Sequence, residues 1–124
     1  MKKLPDTELE IMEVIWHTKT PVSTVAVRDE LQKERPWNLS ALQTLLGRLV
    51  KRGFLTTEKQ GKNRYYSPII TEENYMADDS RRYFEKWKGG SLKNLVACLY
   101  ENNSVTKEDL EELKKFIEEE TRDC

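Results

Sequence analysis

A mainly α-helical fold with one small β-hairpin is predicted by three observations. Apolar residues recur at helical spacing in three segments before residue 53, the period changes across residues 54–68, and helical spacing then resumes. Residues 6–17, DTELEIMEVIWH, place Leu9, Met12, Val14, Ile15 and Trp16 close to helical spacing, and Thr7 with Glu10 has the form of a capping box. Pro21 stops this helix, and Ser23 can cap a second that carries Val25, Val27 and Leu31 to about Lys33 before Pro36. In LSALQTLLGRLVKRG, Leu42, Leu45, Leu46, Leu49 and Val50 form an apolar stripe, and Gly53 offers a C-cap. FLTTEKQ and RYYSP read as two short strands around a turn containing Gly61 and Asn63, with Pro68 closing the second.

Residues 72–88 look helical again and are broken by Gly89-Gly90. SLKNLVACLYE repeats the spacing, and Thr106 opens a last helix. Helix, helix, helix, hairpin over residues 1–70 is the order of a winged helix-turn-helix, whose third helix enters the DNA major groove while the hairpin touches the backbone. Residues 71–124 are too thin for a core of their own and are expected to form a helical homodimerisation region. Its apolar positions are Tyr83, Phe84 and Trp87, then Leu92, Leu95, Val96 and Leu99, then Leu110, Leu113, Phe116 and Ile117.

The chain carries 21 Lys and Arg against 22 Asp and Glu, a net charge of −1 that at first argues against a nucleic-acid partner. By position the balance differs: residues 1–70 hold 12 cations against 8 acids, and residues 71–124 hold 9 against 14. Between Ser40 and Ile70, Arg48, Lys51, Arg52, Lys59, Lys62 and Arg64 face one acid, Glu58. Such a patch attracts a polyanion by releasing counterions. With the leucine stripe inward, the third helix turns Ser40, Ala41, Gln43, Thr44, Gly47, Arg48 and Lys51 outward. Gln43 can pair with an adenine edge, Ala41 and the Thr44 methyl can meet a thymine methyl, and Ser40, Thr44, Arg48 and Lys51 can hold phosphates. Lys59, Lys62 and Arg64 complete the DNA-binding set from the wing. An alternative for Gln43 is a capping box with Ser40. Gly47 costs about 1 kcal/mol against Ala in mid-helix, so helix 1 or a DNA backbone is expected to approach it.

Other classes find less support. No run approaches the roughly 18 apolar residues of a membrane span, and Met-Lys-Lys leads into Pro5, Asp6 and Glu8, so a cytoplasmic chain without membrane insertion is expected. His17, Cys98 and Cys124 make neither a metal site nor a disulfide framework, and no cofactor is expected. Cys98, among Leu95, Val96 and Leu99, reads as a buried small hydrophobe. Tyr65 and Tyr66 point to opposite faces of their strand, one into the core. The catalytic motifs H-E-x-x-H and G-x-S-x-G are missing, and an enzyme is not expected. The competing class is a winged-helix protein-interaction module without DNA binding.

WNLSALQTLLGRLVKRGFLTTEKQGKNRYYSP resembles the third helix and wing of the penicillinase repressor family, regulators of beta-lactamase and methicillin-resistance genes. LPDTELEIMEVIW resembles the family's first helix, and KGGSLKNLVACLYENNSVTKEDLEELKKFIEE resembles its dimerisation segment. The resemblance implies a homodimeric repressor that binds a palindromic double-stranded operator, with helix 3 (about 40–52) in the major groove and the wing (about 55–67) on the backbone. It also implies control of beta-lactamase or other antibiotic-resistance genes, and relief when a membrane sensor-protease pathway leads to cleavage in the C-terminal region. Alignment from Gly89-Gly90 places that bond at Cys98-Leu99, where staphylococcal members have Asn-Phe. Many relatives carry Lys or Arg where this chain has Gln43. Copper-responsive relatives end in a C-x-C-x4-C hook, and the single Cys124 here argues against copper sensing.

Overall fold

In the computed structural model, which describes residues 3–87 and 91–122, the chain runs α1 (Asp6–Trp16), β1 (Val22–Ser23), α2 (Thr24–Leu31), α3 (Leu39–Lys51), β2 (Leu55–Gln60), β3 (Asn63–Pro68), α4 (Glu72–Lys86), α5 (Leu92–Glu101) and α6 (Lys107–Thr121). The expected break at Gly89-Gly90 and the terminal Cys124 lie outside the described residues. The chain divides into two compact units, Met1–Tyr83 and Phe84–Cys124.

The first unit holds the core. Ile11, Met12 and Ile15 of α1, Val27 of α2, and Leu42, Leu46 and Leu49 of α3 are fully buried, and Leu45 and Val50 pack against them. Removing such side chains from water contributes roughly 1.5–3 kcal/mol each. The buried face of α1 is centred on Glu8, Ile11, Met12 and Ile15, a shift from the expected stripe, with Leu9, Val14 and Trp16 at its margin. The Thr7–Glu10 capping box does not form: Pro5 occupies the N-cap, and no side chain caps the helix. Proline suits a helix start because its missing N–H would have no intrahelical partner.

The hairpin is observed with one addition. A two-residue strand, β1, joins the sheet in the order β1-β3-β2, antiparallel throughout, pairing Val22 with Tyr66 and Ser23 with Tyr65. Two residues carry no readable period, which is why the sequence shows only two strands. The β2–β3 turn places Gly61 at φ +65 in its first central position, as a type II′ hairpin needs. At the end of α3, Gly53 sits at φ +84, its N–H reaching Val50 O at 3.1 Å while Phe54 N–H reaches Leu49 O at 2.9 Å. That Schellman closure turns the chain from α3 directly into the wing.

The first unit also takes in the start of α4, past the residue 70 at which the sequence suggests a boundary. Tyr75 is buried, its hydroxyl accepts the Leu4 N–H at 2.9 Å, and its ring lies 5.7 Å from Trp16 and 5.8 Å from Phe54. Trp16 in turn donates its indole N–H to Ile70 O at 2.9 Å. Further along α4, hydrogen bonding from Arg81, with the charge of Arg82, holds the Asp78 carboxyl below its usual range.

In the second unit Thr106 and Asp109 form the reciprocal capping box of α6, and Ser91 caps α5. No residue of α5 or α6 is buried within the single chain. Cys98, expected inside, is therefore exposed. A unit built from two short helices and the end of α4 can cover only part of its apolar faces, which leaves Leu95, Val96, Leu110 and Leu113 no more than half-buried.

Candidate nucleic-acid interface

The surface that the sequence marks is built first by the cap of α3. Asn38, not Ser40, is the N-cap, its side-chain oxygen accepting the Ala41 N–H at 3.1 Å. The proposed Ser40–Gln43 capping box is thereby excluded, and Gln43 lies inside the helix on its exposed face. Ser40, Ala41, Thr44, Gly47, Arg48 and Lys51 are exposed with it, while Leu42, Leu46 and Leu49 hold the opposite face in the core. Thr44 donates its hydroxyl hydrogen to Ser40 O at 3.1 Å, leaving its methyl and an oxygen lone pair to the outside. A Cβ built on Gly47 would meet nothing within 4 Å, so helix 1 does not account for that glycine.

The wing brings the remaining cations. Lys59 and Arg64 are directly opposed across β2 and β3, and Lys62 sits in the turn between them. Like charges placed opposite each other in a sheet are destabilising, so this arrangement is unfavourable for the isolated protein and favourable once a polyanion lies over it. Among the described residues, none of Arg48, Lys51, Lys59, Lys62 and Arg64 forms an ion pair. Arg64 Nη1 donates to Thr57 Oγ1 at 3.5 Å, and Glu58 is hydrogen-bonded by the Gln60 side chain at 3.0 Å.

Arg52 differs from these five. Its Nη1 lies 2.8 Å from Glu8 Oε2, and Glu8 is 1% exposed, so this cation is committed to tying α1 to the end of α3. Counting charge along the sequence cannot separate it from Arg48 or Lys51, because its partner lies 44 residues away.

The two parts of the surface meet in one groove. Residues 23–25 at the β1–α2 junction, Leu39 and Gln43 of α3, and Lys59, Lys62, Asn63 and Arg64 of the wing line it, while Ser40, Ala41, Thr44, Arg48 and Lys51 lie on the exposed face of α3 outside that lining. The register of Ser23 with Tyr65 fixes the α2 start against the wing. Sequence reasoning missed Ser23, Thr24 and Val25, since nothing before folding brings the start of α2 to the wing, and it passed over the neighbouring Leu39 and Asn63. Tyr66 is the buried tyrosine of its strand and Tyr65 is half-buried. Trp37, just before α3, is also in the core, under the Arg35 guanidinium at 4.4 Å.

The residues expected at a dimer contact are open in the single chain. Tyr83, Phe84, Leu92, Leu99, Phe116 and Ile117 are exposed, and Trp87, Leu95, Val96, Leu110 and Leu113 are half-buried.

Comparison with known proteins adds independent findings. The family model described as penicillinase repressor matches residues 4–119. A penicillinase repressor of Bacillus licheniformis is 36% identical over 122 residues, covering 96% of this chain and 94% of that protein. The methicillin resistance regulatory protein MecI of Staphylococcus aureus (strain N315) is 26% identical over 115 residues, covering 93% of each. Among solved structures, the DNA binding domain of the repressor BlaI is 41% identical with a TM-score of 0.52, covering 60% of this chain and 94% of that one.

Proposed function

The chain belongs to the penicillinase repressor family, and from that premise we propose that it is a DNA-binding transcriptional repressor of antibiotic-resistance genes, beta-lactamase among them. The observation that carries this reading is the set of five exposed cations, Arg48 and Lys51 on α3 and Lys59, Lys62 and Arg64 on the wing, that form no ion pair among the described residues, the wing three lining one groove with the exposed Gln43 of the capped α3. In it, α3 lies in the major groove with Gln43 against an adenine edge and Ala41 and Thr44 beside it, while Ser40, Arg48 and Lys51 hold phosphates and the wing grips the adjacent backbone. The reading assigns no catalysis and no cofactor, and it places the protein in the cytoplasm; no described helix is long and apolar enough to cross a membrane.

The protein acts as a homodimer on a palindromic operator, with the apolar faces of α5 and α6 and the end of α4 joining two copies. Repression is lifted when a membrane sensor-protease pathway leads to cleavage of the C-terminal region, at or near Cys98-Leu99. Both residues lie within α5 and are exposed in the single chain, and Leu99 belongs to the face that joins the copies, so the bond is open to a protease when the copies separate. Cutting α5 removes dimer area, and weaker dimerisation lowers operator occupancy by mass action.

The test is selection of bound duplexes from a random pool, followed by titration at several salt concentrations. Affinity falls steeply with salt. Arg48→Ala or Lys62→Ala weakens binding to all sequences and lowers the salt slope by about one for each phosphate no longer neutralised. Gln43→Ala changes the preferred base and leaves nonspecific binding as it was. A salt-independent affinity, or no duplex recovered, would favour the protein-interaction module instead.

A further inference from the structure

The groove between α2, α3 and the wing contains two side chains that phosphate binding does not require. Val25, the second residue of α2, is 57% exposed, and Leu39, the first of α3, is 36% exposed. Both line the groove beside Gln43, Lys62 and Arg64, and neither belongs to the core. Single exposed apolar residues are ordinary on a protein surface. Here two from different helices line one basic concavity, each within two residues of a helix cap: Ser23 accepts the Ala26 N–H at 3.1 Å and Asn38 accepts the Ala41 N–H at 3.1 Å. Gln43 follows Leu39 by one helical turn and therefore shares its face.

The positive wall of the groove selects a polyanion, and within the DNA major groove the apolar group on a base edge is the thymine 5-methyl. Resting on the DNA-binding reading above, we propose that Val25 and Leu39 form an apolar seat for a thymine methyl next to the base read by Gln43, so that each operator half-site carries a thymine at that position. Lys59, Lys62 and Arg64 then hold the strand without regard to sequence, and the apolar pair adds a preference that cations cannot supply.

The experiment uses the full chain and a duplex recovered from the random pool, in which each thymine is replaced singly by deoxyuridine. This replacement removes the methyl and keeps the base pair. At one thymine in each half-site the protein binds the deoxyuridine duplex about three- to fivefold more weakly, the worth of one buried methyl group. Leu39→Ala and Val25→Ala, both at exposed positions, bind the thymine duplex more weakly and no longer distinguish it from the deoxyuridine duplex. Indifference of the unsubstituted protein to every replacement would overturn the proposal, as would a full methyl penalty retained by both variants. Weaker binding by Leu39→Ala with discrimination intact would assign the leucine to deoxyribose and overturn it as well. Those outcomes leave DNA binding standing, whereas failure to recover any duplex would remove the DNA-binding reading itself.

Discussion

Gly47 is the residue whose presence the folded chain itself does not explain. It lies in the middle of α3 on the exposed face, and a Cβ there would find open space. In such a position alanine is favoured over glycine by up to about 1 kcal/mol, through helix propensity and a smaller loss of backbone entropy. Gly47→Ala is therefore expected to raise the stability of the protein by about 0.5–1 kcal/mol in urea unfolding. If the DNA backbone is the close approach for which the glycine is kept, the same variant binds duplex more weakly. A stabilised variant with undiminished affinity would separate the glycine from DNA contact. At this scale the sequence was informative about Gln43 and the wing cations, whose exposure follows from helical and strand periods. It was silent on Glu8, because a carboxylate inside an apolar stripe reads as a boundary residue until its partner is known. Cys98 was misplaced for the opposite reason: it lies in an apolar pattern, but that pattern is not covered within one chain.

Among the elements, the attachment of α3 to α1 rests partly on one ion pair whose carboxylate is buried. Glu8 Oε2 and Arg52 Nη1 are 2.8 Å apart, the carboxylate almost fully enclosed and the guanidinium 40% exposed. Removing the arginine alone leaves a buried charge without a partner, which is the costly way to break such a pair. Arg52→Ala is expected to destabilise the protein by about 2–3 kcal/mol, whereas Glu8→Met with Arg52→Met loses much less. Equal losses in the two variants, measured by thermal or denaturant unfolding, would show that packing and not charge burial governs this site. Because Arg52 is occupied, its loss affects DNA binding through the position of α3 and leaves the number of phosphate contacts unchanged. The helices themselves were legible in the sequence, since Ser23, Thr106 and the leucine stripes state their own roles. Pro5 stands at the cap of α1 where Thr7 is expected, and Asn38 caps α3 instead of the alternative Ser40, because several candidate residues sit within one turn of each start and only the backbone geometry chooses among them.

For the whole molecule, the small net charge conceals a basic first 70 residues and an acidic remainder, and the proposed function gives these halves separable roles that a single pair of substitutions can test. Leu92, 61% exposed, and Phe116, 58% exposed, lie in the second unit and take no part in the core of the first. A charge at both positions, Leu92→Asp with Phe116→Asp, costs nothing in the folding of Met1–Tyr83 but opposes the burial of these faces against a second copy. The variant is expected to sediment as a monomer and to keep the thermal transition of the first unit. On a duplex carrying a single half-site its affinity equals that of the unsubstituted protein. On the palindrome the second reading helix is no longer delivered at high effective concentration, so affinity falls about a hundredfold or more. The salt dependence changes with it: half the phosphate contacts are made per bound molecule, and the slope of log affinity against log salt for the palindrome drops to about half. An unchanged palindrome affinity, or a variant that remains dimeric, would place the contact between copies elsewhere than on α5 and α6. A lower affinity for the single half-site would mean instead that the second unit takes part in DNA binding directly.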